Sequence, residues 1–455
     1  MAINFQSRAW IDEIWVVLNP AYQLLTGVGH LSPHDWVVNQ QRSWIPPYAL
    51  FVYLKILGFL GIKNGVDVLA MVRLAITLAS AAGFFAFTCL LARRFSLKYP
   101  PLAVVVALFF SPQFVHYSTL ADLSVLAMPF VLVGLTLIFW EAQKPKASPR
   151  VVLGCFLLAV GGGGIRFQFG LISLAVWIYL LAIRQFKVAA WLVAAGLAVL
   201  VIDFGFSSYI YGEPVLPIYR YAYADLFKGA GNDAGVRPFY YAFEILWRFM
   251  MEPAFLIAFL FLPSALMRVP ALAIPSFVLA LVFTVIGHKE FRYFYGPAVL
   301  LSGVGAAAFQ KWFEERVKRQ AARACVVLVL LSFVFVASWR GVKKVRWGDY
   351  EIPSKLETFA GTQRDAKGLL VFGWAGIYTG GHYTFHRSLP YKFIENEGQV
   401  RQLLKDGGLS SADFNYLIVP DTHGQVCLDE VKREGGGVLF RCTEVELMHF
   451  LESMR

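Results

Sequence analysis

Long apolar runs alternate with short polar stretches along most of this chain. Runs near the roughly 17 to 25 residues that a helix needs to cross the hydrocarbon layer fall at residues 70–92, 100–114, 124–140, 151–165, 167–183, 188–206, 243–266, 270–287, 293–310 and 323–339. Several are short, or broken by proline and glycine. The pattern predicts about ten transmembrane helices. After residue 340 the texture changes: short apolar stretches such as 368–372 and 416–419 stand among charges and turn residues, which predicts a small soluble α/β domain over 341–455. Ahead of the first run, residues 45–62 are apolar but interrupted by Pro46, Pro47 and Lys55, and are expected to form an interfacial helix lying on the outer face. Three parts follow: an outward-facing first loop with that helix (1–69), a multi-span domain (70–340) and a soluble extracytoplasmic domain (341–455).

Composition agrees with a membrane solvent. The chain is 58% hydrophobic and 16% charged, with a mean hydropathy of +0.57, where soluble domains carry nearer a quarter charged residues. Its net charge of +11 does not indicate a nucleic-acid partner, because the cations sit in alternate loops. Arg93, Arg94 and Lys98 follow the first run, Lys144, Lys146 and Arg150 the third, Arg184 and Lys187 the fifth, Arg268 the seventh, and Lys311, Arg316, Lys318, Arg319 and Arg323 the ninth. The positive-inside rule places these five loops in the cytoplasm. Loops 10–44, 111–123, 161–168, 207–241 and 288–292, together with the tail, then face outward. A basic patch at 340–346 falls on that outer side and is read as a contact for lipid phosphates.

Cys89, Cys155 and Cys325 lie in or beside spans and read as small apolar fillers. Cys427 and Cys442, in the tail, would close a disulfide in an oxidising compartment and stay free in a reducing one. Residues 1–10 are too short and polar for a span or a signal peptide, so either the true start lies upstream or the first helix is absent.

The outer face collects the chemistry. Asp12 and Glu13 stand among Trp10, Ile14 and Trp15. Carboxylates partly desolvated at a membrane surface suit a general base, and the same pair also reads as a solvated or helix-capping pair. The second loop carries His116 and Asp122. The third is Gly161-Gly162-Gly163-Gly164-Ile165-Arg166-Phe167-Gln168. Its glycines read first as close helix packing, and Arg166 either forks onto a phosphate or snorkels to the interface. The aromatics of 209–241 suit sugars, interfacial lipid or an aromatic belt.

The densest cluster is His288-Lys289-Glu290-Phe291-Arg292-Tyr293, four ionisable side chains in five positions between two apolar runs. Such density at a membrane edge reads as functional. With Pro297 following, this tract resembles the His-Lys-Glu-x-Arg-Phe signature of glycosyltransferase family 22, the lipid-linked mannosyltransferases of N-glycan and glycolipid-anchor assembly. The family's Asp-Glu first-loop motif falls on Asp12-Glu13, and its Ser-x-x-Tyr-Ala-Leu tract resembles residues 44–50. Asp203 with Tyr211-Gly212 resembles its post-loop Asp and Tyr-Gly pattern, and residues 378–390 its Tyr-Ser-x-x-His-Arg-x-x-Pro pattern. Two features depart from the family. No helix precedes Asp12, and Thr119-Leu120-Ala121-Asp122 matches Thr-Leu-Ser-Asn loosely, with Val125 where an acid is expected.

The resemblance implies a GT-C-like polytopic α-helical membrane protein that moves a sugar, mannose, from a polyprenyl-phosphate donor to an extracytoplasmic glycan or glycolipid acceptor. Asp12 is then the general base of an inverting transfer. His288, Lys289, Arg292 and Arg166 take the donor phosphate, with Glu13, Asp122 and Glu290 in support. No cofactor or metal is needed, because phosphate already leaves readily; a divalent ion on Asp12 and Asp122 lacks a compact ligand spacing. Membrane lipid is a partner and nucleic acid is not. The expected setting is a bacterial inner membrane with a periplasmic site, the alternative an endoplasmic reticulum membrane with a lumenal one. A lipid or glycan transporter or flippase, and a non-catalytic scaffold of a glycan-assembly complex, are the other functional classes open; a transporter calls for mid-membrane charges or repeated halves.

Overall fold

The computed structural model describes residues 13–27, 40–63, 65–98, 101–109, 114, 117–224, 236–250, 252–287, 289, 291–318, 351–373, 389–394, 397–405, 413–420, 426–427, 429–434 and 437–453. The chain forms two compact units. One comprises Met1–Pro33, Pro47–Leu74 and Arg346–Arg455, the other His34–Pro46 and Ala75–Val345.

The larger unit is helical. Its helices coincide with the apolar runs: Leu123–Phe139, Pro149–Ala159, Gly170–Ala182, Phe186–Tyr211, Pro270–Val285 and Tyr295–Arg316 among them. Two of the described helices, Asp67–Arg94 and Phe186–Tyr211, are long and apolar enough to cross a membrane alone, and several others are apolar but shorter. The run at 243–266 is helical over the described residues Tyr241–Met250 and Glu252–Arg268. The run at 323–339 and the basic patch at 340–346 lie outside the described residues.

Small residues let these helices touch backbone to backbone, the form of packing that membranes favour. A Cβ on Gly134 would stand 2.8 Å from the backbone nitrogen of Leu158, and one on Gly154 would stand 2.9 Å from the carbonyl oxygen of Gly134. Gly305 meets Ala258 in the same way, leaving only 2.3 Å between its notional Cβ and the Ala258 Cα.

Polar contacts gather one set of loops at one end of the helices. Arg94 donates to the Trp140 carbonyl and Gln143 to that of Arg268. Arg268 pairs with Glu315 at 3.1 Å, Lys311 donates to the Ser96 carbonyl at 3.2 Å, and Glu314 accepts from the Lys98 N–H at 2.8 Å. The loops after the first, third, seventh and ninth apolar runs therefore share one end.

In the smaller unit, strands β1 (Leu369–Phe372), β2 (Tyr391–Ile394), β3 (Tyr416–Pro420), β4 (Asp429–Glu434) and β5 (Gly437–Arg441) form one sheet in the order β2-β1-β3-β5-β4. β1 runs parallel to both β2 and β3, while β5 is antiparallel to β3 and β4. Side chains alternate between faces with the period of two that a strand imposes. Leu370, Phe372, Leu417, Val419, Val438 and Phe440 pack with Val400, Leu447 and Leu451. Leu369, Val371, Tyr416, Ile418 and Leu439 pack on the other side with Leu356 and Ala360 of the Glu351–Thr362 helix. Both faces are thus covered, which is why β1 and β3 read as continuous apolar runs rather than as alternation.

Cys427, just before β4, is bonded to Cys442, just after β5, with Cα atoms 5.4 Å apart. The Ile45–Phe59 helix exposes Tyr48, Val52, Ile56 and Phe59. At about 1.5 Å per residue its 15 residues reach about 22 Å, short of a hydrocarbon core of about 30 Å.

The disulfide closes a 15-residue separation, a length for which loop closure is worth about 3 kcal/mol. Replacing both Cys427 and Cys442 by serine is expected to lower the stability of the sheet by about that amount, seen as urea-dependent proteolysis within 351–453 at lower urea. In the unreduced wild type neither cysteine is expected to react with a maleimide until a reductant is added.

Candidate functional site

At the opposite end of the helices from the cation-rich loops, the Pro149–Ala159 helix widens into a π-helical turn, Val160–Ile165. Such turns accommodate an extra residue and often sit at functional sites. The four-glycine run makes this one possible. A Cβ on Gly161 would stand 2.9 Å from the Ala127 carbonyl oxygen and 2.9 Å from Val131, and one on Gly162 would stand 2.9 Å from the Ser173 hydroxyl. The glycines therefore serve close packing against the Leu123–Phe139 and Gly170–Ala182 helices, the first of the readings open to them.

The chain leaves that turn extended at Arg166, with φ −130° and ψ 98°, and turns through Phe167–Phe169 into the next helix. This delivers the Arg166 side chain inward. Only 2% of it is exposed, and its Nε and Nη2 atoms have no hydrogen-bond partner. The guanidinium is thus shielded from water within the fold. It lies 5.0 Å from the centre of the Tyr293 ring, and Arg292 lies 5.5 Å from the centre of the same ring. The negative face of an aromatic ring holds each cation by about 0.5–2 kcal/mol, well below what leaving buried charged donors unmet costs. Two arginines thus share one ring, and Arg166 keeps two donor atoms available.

Arg166 lines a small cavity with Arg42, Ser43, Leu123, Ile165, Phe167, Gln168 and Tyr221. Arg42 stacks over Tyr221 at 5.7 Å, and the Gln168 amide donates to the Tyr221 hydroxyl at 2.6 Å. The free space is about 10 Å³, room for about one water, so a larger occupant requires Tyr221 and Arg42 to move aside. A larger apolar groove of about 650 Å³, lined by Ser148, Val152, Phe156 and Trp191 among others, carries no ionisable side chain in its lining.

Of the residues singled out from sequence, Arg166 and Arg292 meet at Tyr293. Asp122 is 1% exposed and caps the Leu123–Phe139 helix, accepting from the Ser124 N–H at 2.7 Å, while its neighbour Leu123 lines the cavity. Its second oxygen has no partner. Lys289, 6% exposed, spends two N–H groups on the carbonyls of Arg237, at 3.0 Å, and Ile286, at 2.6 Å. Burial pushes its ammonium below the ordinary lysine value. It therefore staples the turn that the Arg237 N–H also closes on the Gly287 carbonyl at 2.9 Å. Asp12, His288 and Glu290 lie outside the described residues. Glu13 opens a π-helical segment, Glu13–Leu18, and its side chain is likewise outside them. Among the described residues no group of three or more His, Cys, Asp or Glu could hold a metal ion.

Sequence reasoning missed Arg42, Gln168 and Tyr221. The one available signal was position: Arg42 directly precedes the Ser43-Trp44 tract in an outward loop. Nothing local distinguishes Tyr221 from the other loop tyrosines.

Comparison with known proteins follows the same line. The chain has the fold of ArnT from Cupriavidus metallidurans, a polytopic membrane protein of the GT-C type. The form of ArnT bound to undecaprenyl phosphate superposes with a TM-score of 0.62 at 13% identity, covering 96% of this chain and 95% of that one. The apo form gives 0.60 at 13% identity, covering 97% and 94%. Within that class, the chain belongs to the Alg9-like mannosyltransferase family, whose profile matches residues 2–365. GPI mannosyltransferase 3 of Yarrowia lipolytica is 25% identical over 311 residues, 65% of this chain and 57% of that protein. The Candida albicans protein of the same name is 24% identical over 291 residues, 62% and 56%. The matches thus span a little over half the length of those relatives.

Packing at the glycine turn is testable. Gly161→Ala places a methyl group against backbone and is expected to cost about 1–3 kcal/mol. Gly163→Ala, whose Cβ would find its nearest neighbour at 3.8 Å, is expected to leave the thermal midpoint of the detergent-purified protein in place.

Proposed function

We propose that this protein transfers mannose from a polyprenyl-phosphate donor to a glycan or glycolipid acceptor, with inversion, on the membrane face opposite the cytoplasm. One observation carries the reading: Arg166 is buried with two donor atoms unmet, in a cavity that it shares with Arg42. Guanidinium forks match phosphate oxygens in shape as well as charge. Support comes from the family, from relatives named as mannosyltransferases, and from a structural neighbour that binds undecaprenyl phosphate. The cation-rich loops at the other end favour the outward orientation under the positive-inside rule. The Cys427–Cys442 bond suits an oxidising compartment, periplasmic in a bacterium and lumenal in the endoplasmic reticulum.

In the proposed reaction the acceptor hydroxyl oxygen attacks the anomeric carbon, the bond from that carbon to the phosphate oxygen breaks, and polyprenyl phosphate leaves with the electron pair. Asp12 takes the hydroxyl proton. Arg166 and Arg42 hold the phosphate in the bound donor and in the leaving group alike, which sets the donor KM. Arg292 holds Tyr293 from its other contact and adds positive potential there. Asp122 sets the end of the Leu123–Phe139 helix beside the cavity. His288 keeps the phosphate-binding role, and Glu13 and Glu290 the supporting roles, that the motif assigns them. Lys289 acts mainly by holding the 286–292 turn.

Mannosyl transfer from a polyprenyl-phosphate donor by the membrane-embedded chain tests this. Asp12→Asn is expected to lower kcat by about 10²–10⁴; unchanged turnover discards the base. Arg166→Ala is expected to raise the donor KM by about 10- to 100-fold, the worth of a hydrogen bond to a charged group. A donor KM that stays put discards the phosphate role.

A further inference from the structure

The last turns of the Phe186–Tyr211 helix carry Asp203, Ser207 and Tyr211 at i, i+4 and i+8, a spacing that puts all three on one face. That polar ladder lies in a helix otherwise apolar enough to cross a membrane, and its first and last rungs, Asp203 and Tyr211, grip the chain at 42–44. The Ser43 hydroxyl donates to Asp203 Oδ1 at 2.6 Å, and the Ser207 hydroxyl donates to the same oxygen at 3.2 Å. The Tyr211 hydroxyl donates to the Arg42 carbonyl at 3.2 Å, and the Tyr211 ring meets the Trp44 ring edge-on at 6.0 Å. Ser43 Oγ also accepts from the Ile45 N–H at 3.2 Å, so that one hydroxyl both caps the next helix and ties it to Asp203.

Asp203 is 0% exposed. A carboxyl buried at the end of a membrane helix is costly and persists where it does something specific. Its visible effect is on the residue that leads into the cavity. The Arg42 carbonyl is fixed by Tyr211 and the next side chain is fixed by Asp203, so the ladder sets the direction in which Arg42 leaves the backbone, over Tyr221 and beside Arg166. Gly212 ends the helix one residue past Tyr211 with φ +73°, a left-handed conformation that glycine adopts without strain, which keeps Tyr211 in the last turn.

We infer that Asp203, acting through Ser43, is a positioning residue that holds Arg42 at the Arg166 cavity and thereby sets the affinity for the donor's lipid-linked phosphate without touching it. This rests on the phosphate reading of the cavity given above. It separates two roles on the helix: binding energy comes from the arginines, and their aim comes from the ladder.

The test uses the full chain in lipid nanodiscs, with undecaprenyl phosphate as the binding probe and mannosyl transfer as the kinetic one. Asp203→Leu and Ser43→Ala are each expected to weaken probe binding and raise the donor KM by about tenfold, with kcat within about twofold. The double variant is expected to lose no more than either single one, because both remove the same link. Asp203→Asn, which keeps an oxygen for the Ser43 hydroxyl, is expected to bind as the wild type does. In an Arg42→Ala background, Asp203→Leu is expected to add nothing; a further loss there means that Asp203 acts on stability at large and overturns the inference. Normal binding by Ser43→Ala overturns it too, and that variant removes no charge, so it gives an answer even where Asp203→Leu fails to fold. Failure of the wild type to bind undecaprenyl phosphate removes the cavity reading and this inference with it, whereas wild-type binding with an unaffected Asp203→Leu removes this inference alone.

Discussion

The polar end of the helical unit depends on how closely the glycine turn approaches its neighbours. Where Gly161 and Gly162 pass the Ala127 carbonyl and Ser173 there is no room for a Cβ, and a few residues on the Arg166 guanidinium is buried. Once buried, the guanidinium selects its surroundings. A ring face, a cavity and a second cation are arranged about it, and Tyr293 ties it to the start of the Tyr295–Arg316 helix. A charge with unmet donors in a place of low dielectric is among the least tolerable features of a folded chain, so its persistence points to an anionic partner.

The same physics separates the two ends of the helices. Hydrocarbon requires each helix to satisfy its own backbone and excludes charge from its middle, so ionisable groups are pushed to the termini. At the cation-rich end they meet internal partners: Glu314 and Glu315 and the carbonyls of Ser96, Trp140 and Arg268 take up the donors. The Leu123–Phe139 and Tyr295–Arg316 helices run from this end to the other, where Asp122 and Tyr293 sit near Arg166. At that far end Arg166, Arg42 and Arg292 each lie over a tyrosine ring.

Much of this was legible beforehand. The apolar runs located the helices because a membrane helix must be continuously apolar, and the change of texture after residue 340 anticipated the strands. The density of ionisable groups at 288–293 drew attention to the turn that carries Arg292 and Tyr293. Other features were hidden because they arise between distant segments. Lys289 looks like a free cation in a charged tract, but it is consumed by two carbonyls, one of them 52 residues away. Asp203 reads as one acid at the end of a span, and its meaning appears only when Ser43, 160 residues earlier, is found against it.

The sequence by itself determined the solvent, the placement of the helices, the segregation of cations into alternate loops and the family, since each is written in local composition, period and motif. Only the tertiary structure decided that Arg166 is buried with donors to spare, and that Asp203 meets Ser43. Those properties depend on distances between segments remote along the chain, and no local pattern of residues encodes them.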